Sequence, residues 1–257
     1  MVSNSFEAYI ATYELAHVTF MGGTLLSWQG SDTGLDNSWQ KTSEGATIFA
    51  GMNYSDDSFD ISLWYYNING EMSDATANNS YYGDIVGHFH ISEELFLHLG
   101  AQYLKQDELD RSGVSANIFG LTAELVVDGL GLNIAYNKSL KESAKQSFSG
   151  FGGGTLFTNM DNMILDVISA DRDVDSIVAG ISYGYGDFSS LYAYGDFKGE
   201  RDSSAIKEHI VEQNIGASYE HNDFILGVLY TVQKDEESTG INGGDWENVR
   251  VLLSYNF

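Results

Sequence analysis

The sequence predicts an all-β fold, an antiparallel transmembrane β-barrel, and three observations carry that prediction. Segments of about ten residues alternate apolar and polar side chains, the period of a strand with two unlike faces. The chain of 257 residues contains no proline, as suits long strands whose backbone N–H groups all donate to a ladder. Tyrosine closes the apolar face of strand after strand, at Tyr54, Tyr103, Tyr136, Tyr183, Tyr185, Tyr219 and Tyr230. An aromatic belt at a lipid–water boundary accounts for that placement better than a soluble sandwich does. The whole of 1–257 reads as a single barrel domain.

The elements follow in order. Residues 5–14 form the first segment, with Phe6, Ala8 and Ile10 on one side, and 17–27 the second, with Val18, Phe20 and Leu26. Ala46, Ile48, Ala50, Met52 and Tyr54 alternate, then Ser55-Asp56-Asp57-Ser58 returns the chain. Phe59, Ile61, Leu63 and Tyr65 are backed by Asp60, Ser62, Trp64 and Tyr66. Tyr81, Ile85 and Phe89 are backed by Tyr82, Asp84, Val86, His88 and His90. Leu95 to Tyr103 and Phe119 to Leu125 continue the period, and Asp128-Gly129 is a hairpin turn leading to Leu130, Leu132, Ile134 and Tyr136. After a long interruption, residues 139–173, come Ile177 to Tyr185. Next is Leu191, Ala193, Gly195 and Phe197, backed by Tyr192, Tyr194, Asp196 and Lys198. Val211 to Tyr219 and Phe224 to Val232 precede the last strand, where Val249, Val251, Leu253, Tyr255 and Phe257 alternate with Asn248, Arg250, Leu252, Ser254 and Asn256. No segment sustains helical spacing.

Short and long connections alternate. In bacterial barrels the short turns are periplasmic and the long loops external, so the last strand runs inward and the C-terminus is expected on the periplasmic side. About 12–13 strands are expected. An odd count conflicts with the even number of bacterial single-chain barrels. Either residues 1–14 stand outside the barrel, or the chain is the C-terminal part of a larger one. The first residues carry neither a basic nor an apolar leader region, which fits the second option.

Composition excludes several classes. With 37 acidic and 12 basic residues, a formal charge of −25, nucleic acid is a poor partner. No cysteine is present, so disulfides and thiolate metal sites are out. No apolar run reaches the roughly 20 residues of a transmembrane helix, which leaves barrel strands untouched.

The polar faces are where function should lie. Asp60, Asp84, Glu124, Asp196, Lys198, Glu212, Glu220 and Arg250 are expected to line a lumen, and a mainly acidic wall favours cations. His88 and His90 point to one face with Asp84, but metal binding wants more ligands, and a water-lined wall is the better reading. Gly150 to Gly154 lacks the Lys-Ser/Thr ending of a phosphate loop. The apolar Leu156 to Ile168 that follows is expected to fold into the barrel mouth. No nucleophile–base arrangement stands out, and neither catalytic residues, a metal nor a cofactor is expected.

The aromatic terminal strand, the hairpin cadence and the segment Gly152-Gly153-Gly154-Thr155-Leu156-Phe157-Thr158-Asn159-Met160-Asp161 together resemble the Opr family of bacterial outer-membrane porins, which includes OprD-type channels and major outer membrane porins. The resemblance implies an 18-stranded barrel, of which this chain is too short to supply every strand, a homotrimer, and an inward-folded constriction loop. Phe157, Asn159 and Asp161 would belong to that loop. Val251, Leu253, Tyr255 and Phe257 would be the signal read by the barrel-assembly machinery. The function expected is passive diffusion of small hydrophilic solutes and ions through the outer membrane, with its lipid as the surrounding partner. The alternative is a structural or adhesive surface barrel with partner-binding acidic loops and a lumen filled by Trp64, Tyr66, Tyr192 and Tyr194.

Overall fold

The structure, a computed structural model, describes residues 5–29, 39–42, 45, 47–69, 76–148, 156–200 and 207–255. Ala46, the glycine run 150–154, Thr155 and Phe257 lie outside the described residues. The described chain forms one antiparallel sheet. Its strands are β1 (Ser5–Leu15), β2 (Val18–Gln29), β3 (Gln40–Lys41), β4 (Thr47–Ser55), β5 (Phe59–Ile68), β6 (Asn78–His90), β7 (Leu95–Glu108), β8 (Ala116–Val127), β9 (Leu130–Leu140), β10 (Asp173–Tyr185), β11 (Phe188–Glu200), β12 (Lys207–His221), β13 (Phe224–Asp235) and β14 (Trp246–Tyr255). Each strand pairs with its sequence neighbours, except that the two-residue β3 folds back on β2 and the meander continues from β2 to β4. Among the described residues β1 and β14 each have a partner on one side only, so the sheet is an unclosed wall.

The option of leaving the first segment outside the sheet does not hold. β1 pairs with β2 along its whole length, with a bulge between Glu7 and Ala8. Its register places Tyr9, Ala11, Tyr13 and Leu15 opposite Thr24, Gly22, Phe20 and Val18, while Ile10 falls on the other face, facing Gly23.

The two faces of the sheet are unlike. The outer one is apolar and bare: Leu63 is 50% exposed, Leu121 58%, Ile134 55% and Val251 64%. On single strands aromatics bracket aliphatics, as Phe59 and Tyr65 bracket Ile61 and Leu63, and Phe224 and Tyr230 bracket Leu226 and Val228. Six residues of strand span about 20 Å before tilt, the scale of the apolar band of an outer-membrane barrel. Every tyrosine singled out from the sequence lies on this face. Exposing such a surface to water would be costly, whereas lipid covers it without penalty.

Short turns gather at one end. Asp56 stabilises its own: Oδ1 accepts the N–H groups of Ser58 and Phe59, each at 2.7 Å, and Oδ2 accepts the Tyr54 hydroxyl. These bonds, the tyrosine hydroxyl first, hold the carboxyl below the usual range.

Candidate functional site

The inner face is defined by what lies on it. Residues 156–172 cross it from β7 to β14, and their apolar side chains make the largest buried cluster in the described chain. Leu156, Met163, Leu165 and Ile168 pack on Ala116, Ile118, Val174, Val178, Phe197 and Ile210. A soluble core would sit between two sheets; here one strap of chain covers part of one sheet.

Alternation explains why the strap finds an apolar floor. β8 to β12 carry apolar residues on both faces: Ile118, Val178, Phe197 and Ile210 inside, Leu121, Ile177 and Ile215 outside. Small residues then let the strap approach. A Cβ at Gly195 would collide with the Met160 sulfur, and one at Gly100 would lie 3.2 Å from the Phe157 ring.

Buried polar groups fix the strap in register. Asn137 Oδ1 accepts both the N–H (3.1 Å) and the hydroxyl (3.0 Å) of Thr158, whose oxygen also meets Ser176 Oγ at 2.8 Å. Glu212 accepts the N–H of Asn162 at 3.1 Å and of Met163 at 2.6 Å. Asp161 accepts Thr231 Oγ1 at 2.9 Å and Arg250 Nη1 at 2.8 Å. At the far end Arg172 and Glu208 form a pair at 2.8 Å with side chains only 8% and 6% exposed. The Asn137 amide oxygen and the buried carboxylates of Asp161, Glu208 and Glu212 are thereby met, as acceptors taken out of water require.

The predicted lining residues divide into three groups. Asp60, Asp84, Glu124 and Glu220 lie on the inner face outside the strap, as does Arg250, which is bound to Asp161. Glu212 is on that face but fully buried under the strap, so it is a latch and not exposed wall charge. Asp196 and Lys198 fall on the outer face, a correction to the sequence reading. The register pairs Asp196 with Ile177 and Val211, both outer, while Phe197 is fully buried inside. Tyr192 and Tyr194 are outer for the same reason. The strap's floor made the inner side of β11 as apolar as a lipid face, so period alone chose the wrong side.

The strap residues named from the sequence are placed as follows. Phe157 lies over Gly100, near Val86 and Thr122. Asp161 is 5% exposed at its side chain and ion-paired. Asn159 is half-buried, its Oδ1 without a partner among the described residues. Beneath Asp161, the inner residues Ser189, Leu191, Gly216, Leu229 and Arg250 line a depression of about 280 Å³. On the terminal strand Val251, Leu253 and Tyr255 are outer and strongly exposed.

One row of titratable groups escaped the sequence reading. His88 Nε2 lies 2.8 Å from Asp60 Oδ2, the rings of His88 and His98 meet edge to face at 4.8 Å, and His98 Nδ1 lies 3.4 Å from Glu124 Oε2. His98 pairs directly with both His88 and Glu124 across β6–β7–β8. His90 packs instead on Phe96. Among the described residues no three such groups converge as a metal would need. His98 is separated from His88 in sequence, and only strand register brings them together.

This arrangement defines a class before any comparison: a β-barrel wall with an apolar outer face, a polar inner face and a strap folded across it. No family model and no curated protein matches the sequence. Solved structures do match. OpdQ of Pseudomonas aeruginosa is 14% identical with a TM-score of 0.79, covering 98% of this chain and 70% of its own. OpdL of the same organism is 15% identical at 0.77, covering 98% and 71%. OprD, also from Pseudomonas aeruginosa, is 14% identical at 0.74, covering 96% and 68%. The fold is thus the OprD-type fold that the terminal strand and the Phe-Thr-Asn segment resembled.

Proposed function

We propose that this chain is an outer-membrane porin wall, a passive diffusion path for small hydrophilic solutes and ions, with a preference for cations and no chemical catalysis. The observation that carries the reading is the pairing of a lipid-like outer face with an inner face where Asp60, Asp84, Glu124 and Glu220 stand clear of the strap. A wall of one charge sign concentrates counter-ions and repels co-ions. The likeness of fold to OprD supports the channel class. In this reading the strap, with Phe157, Asn159 and Asp161, narrows the path, the short turns and the C-terminus are periplasmic, and Val251, Leu253, Tyr255 and Phe257 are read by the assembly machinery. The homotrimer implied by the resemblance belongs to the same proposal.

Reversal potential under a salt gradient in a planar bilayer tests the reading. Cation preference is expected, and it should fall when Asp84 and Asp60 are changed together to asparagine. A folded, inserted protein that passes no ions would sink the channel. The filled-barrel alternative keeps only Trp64 and Tyr66 of its four supporting side chains on the inner face.

A further inference from the structure

We infer that His88 and His98 set the ion preference of the inner wall by taking up protons, which cancel the charges of Asp60 and Glu124. The inference rests on the channel reading above and adds a regulation of that same wall. The four side chains form one line of contacts across β5 to β8. Asp60 Oδ2 lies 2.8 Å from His88 Nε2, the two rings meet edge to face at 4.8 Å, and Glu124 Oε2 lies 3.4 Å from His98 Nδ1. Strand register fixes the order: His88 pairs with His98 and His98 with Glu124, while Asp60 reaches His88 from beside Val86.

The position of this row gives its charge leverage. One inner position away, about 7 Å along the strands, Val86, Gly100 and Thr122 stand side by side in register. The Phe157 ring of the strap lies over that Gly100. The titratable row therefore runs along the edge of the strap, where the path narrows in the channel reading. Its groups are neither free nor sealed: the imidazoles are 22% and 33% exposed, the carboxylates 46% and 43%. Water reaches them with protons, yet charges beside an apolar cover are screened less than charges on an open surface.

The chemistry separates two charge states. Ionised Asp60 only accepts hydrogen bonds, so His88 Nε2 carries a hydrogen already and a further proton enters at Nδ1. With both rings neutral the row carries the charges of Asp60 and Glu124. With both protonated it carries none, because each imidazolium is met by its own carboxylate. Imidazole is the side chain whose ordinary charge change falls between about pH 5 and 8, above that of carboxylates. No other imidazole joins the row: His90 packs on Phe96, and His17 meets the Ser55 carbonyl at 3.2 Å. Asn133, the inner neighbour of Glu124 on β9, is uncharged, and Asp84 stands four residues along β6 from His88. The acids flanking β5 to β8 at this end, Asp56, Asp57, Glu93, Glu94 and Asp128, are in the turns.

Reversal potential followed against pH in a planar bilayer tests the inference, at low salt (a screening length of about 10 Å at 0.1 M). From about pH 8 to about pH 5.5 the cation-to-anion permeability ratio is expected to fall about threefold or more, as a loss of about one kT of local potential gives. Changing His88→Gln and His98→Gln together should hold the ratio near its starting value across that range. Each single change should remove part of the fall, which covers the case of a double variant that does not fold. His90→Gln should keep the parent profile. A parent that conducts with a flat ratio, or a double variant that keeps the parent's fall, would overturn this inference alone. A folded, inserted protein that passes no ions fails the channel reading, and the regulation with it.

Discussion

The inner face of β5–β8 and the inner face of β9–β14 are built from the same strands and turns but solve opposite problems. On the first, Asp60, Asp84 and Glu124 stay in reach of water, and two of them lean on histidines. On the second, Phe197, Ile210 and Val174 are fully buried beneath a strap of chain, and the charged residues that the strap covers, such as Glu212, are latches. A charge left in water keeps its hydration; one under the strap must be met bond for bond. The same residue type therefore has two meanings on one wall: Asp84 is wall charge, Glu212 is an acceptor for two backbone N–H groups.

Breaking the buried pair should have the largest effect. Arg172→Ala leaves Glu208 buried without its partner, and a loss of about 3–5 kcal/mol is expected, read as a lower urea midpoint of the folded protein in detergent. A change under about 1 kcal/mol would mean that water reaches this end of the strap. Glu212→Gln should cost less, about 1–3 kcal/mol, because the amide retains one acceptor for Asn162 or Met163. Limited proteolysis should then cut within 156–163 faster than in the parent; equal protection would show that the apolar contacts hold the strap without this latch.

The outer pair sharpens the contrast from the other side. Lys198 is 53% exposed beside Asp196, so changing both to alanine should cost at most about 1 kcal/mol. Reversal potential should not move, in contrast to the Asp60 and Asp84 change. A shift equal to theirs would return these residues to the lumen. The smallest effect is expected at the Asp56 turn, where the folded carboxyl titrates below its unfolded value. Ionised Asp56 then adds stability above the ordinary carboxylate range, and this is lost as pH falls through the lowered value. Asp56→Asn should flatten that part of the pH profile of the urea midpoint; an unchanged profile would assign it to other carboxylates.

Much of the wall was legible in the chain. Turns such as Asp128-Gly129 are local, and alternation on β5, β6 and β14 is legible because polar residues on the inner face of each still separate the apolar outer ones, even where that face also carries Trp64 and Tyr66. β11 was misread because both its faces are apolar, one for lipid and one for the strap. His98 was missed because a cross-strand neighbour has no fixed distance in sequence. Arg172 and Glu208 carry no motif; nothing in their flanking residues announces a buried pair.

The sequence by itself determined the strands, their order and the end at which the chain turns tightly, since these depend on period and turn chemistry within a few residues. The tertiary structure alone decided which face of β11 meets lipid, which acids remain in water and where the apolar Leu156 to Ile168 comes to rest. Those outcomes depend on what covers a side chain. Here the cover comes from residues 156–172, laid across strands as distant in sequence as Gly100 and Arg250.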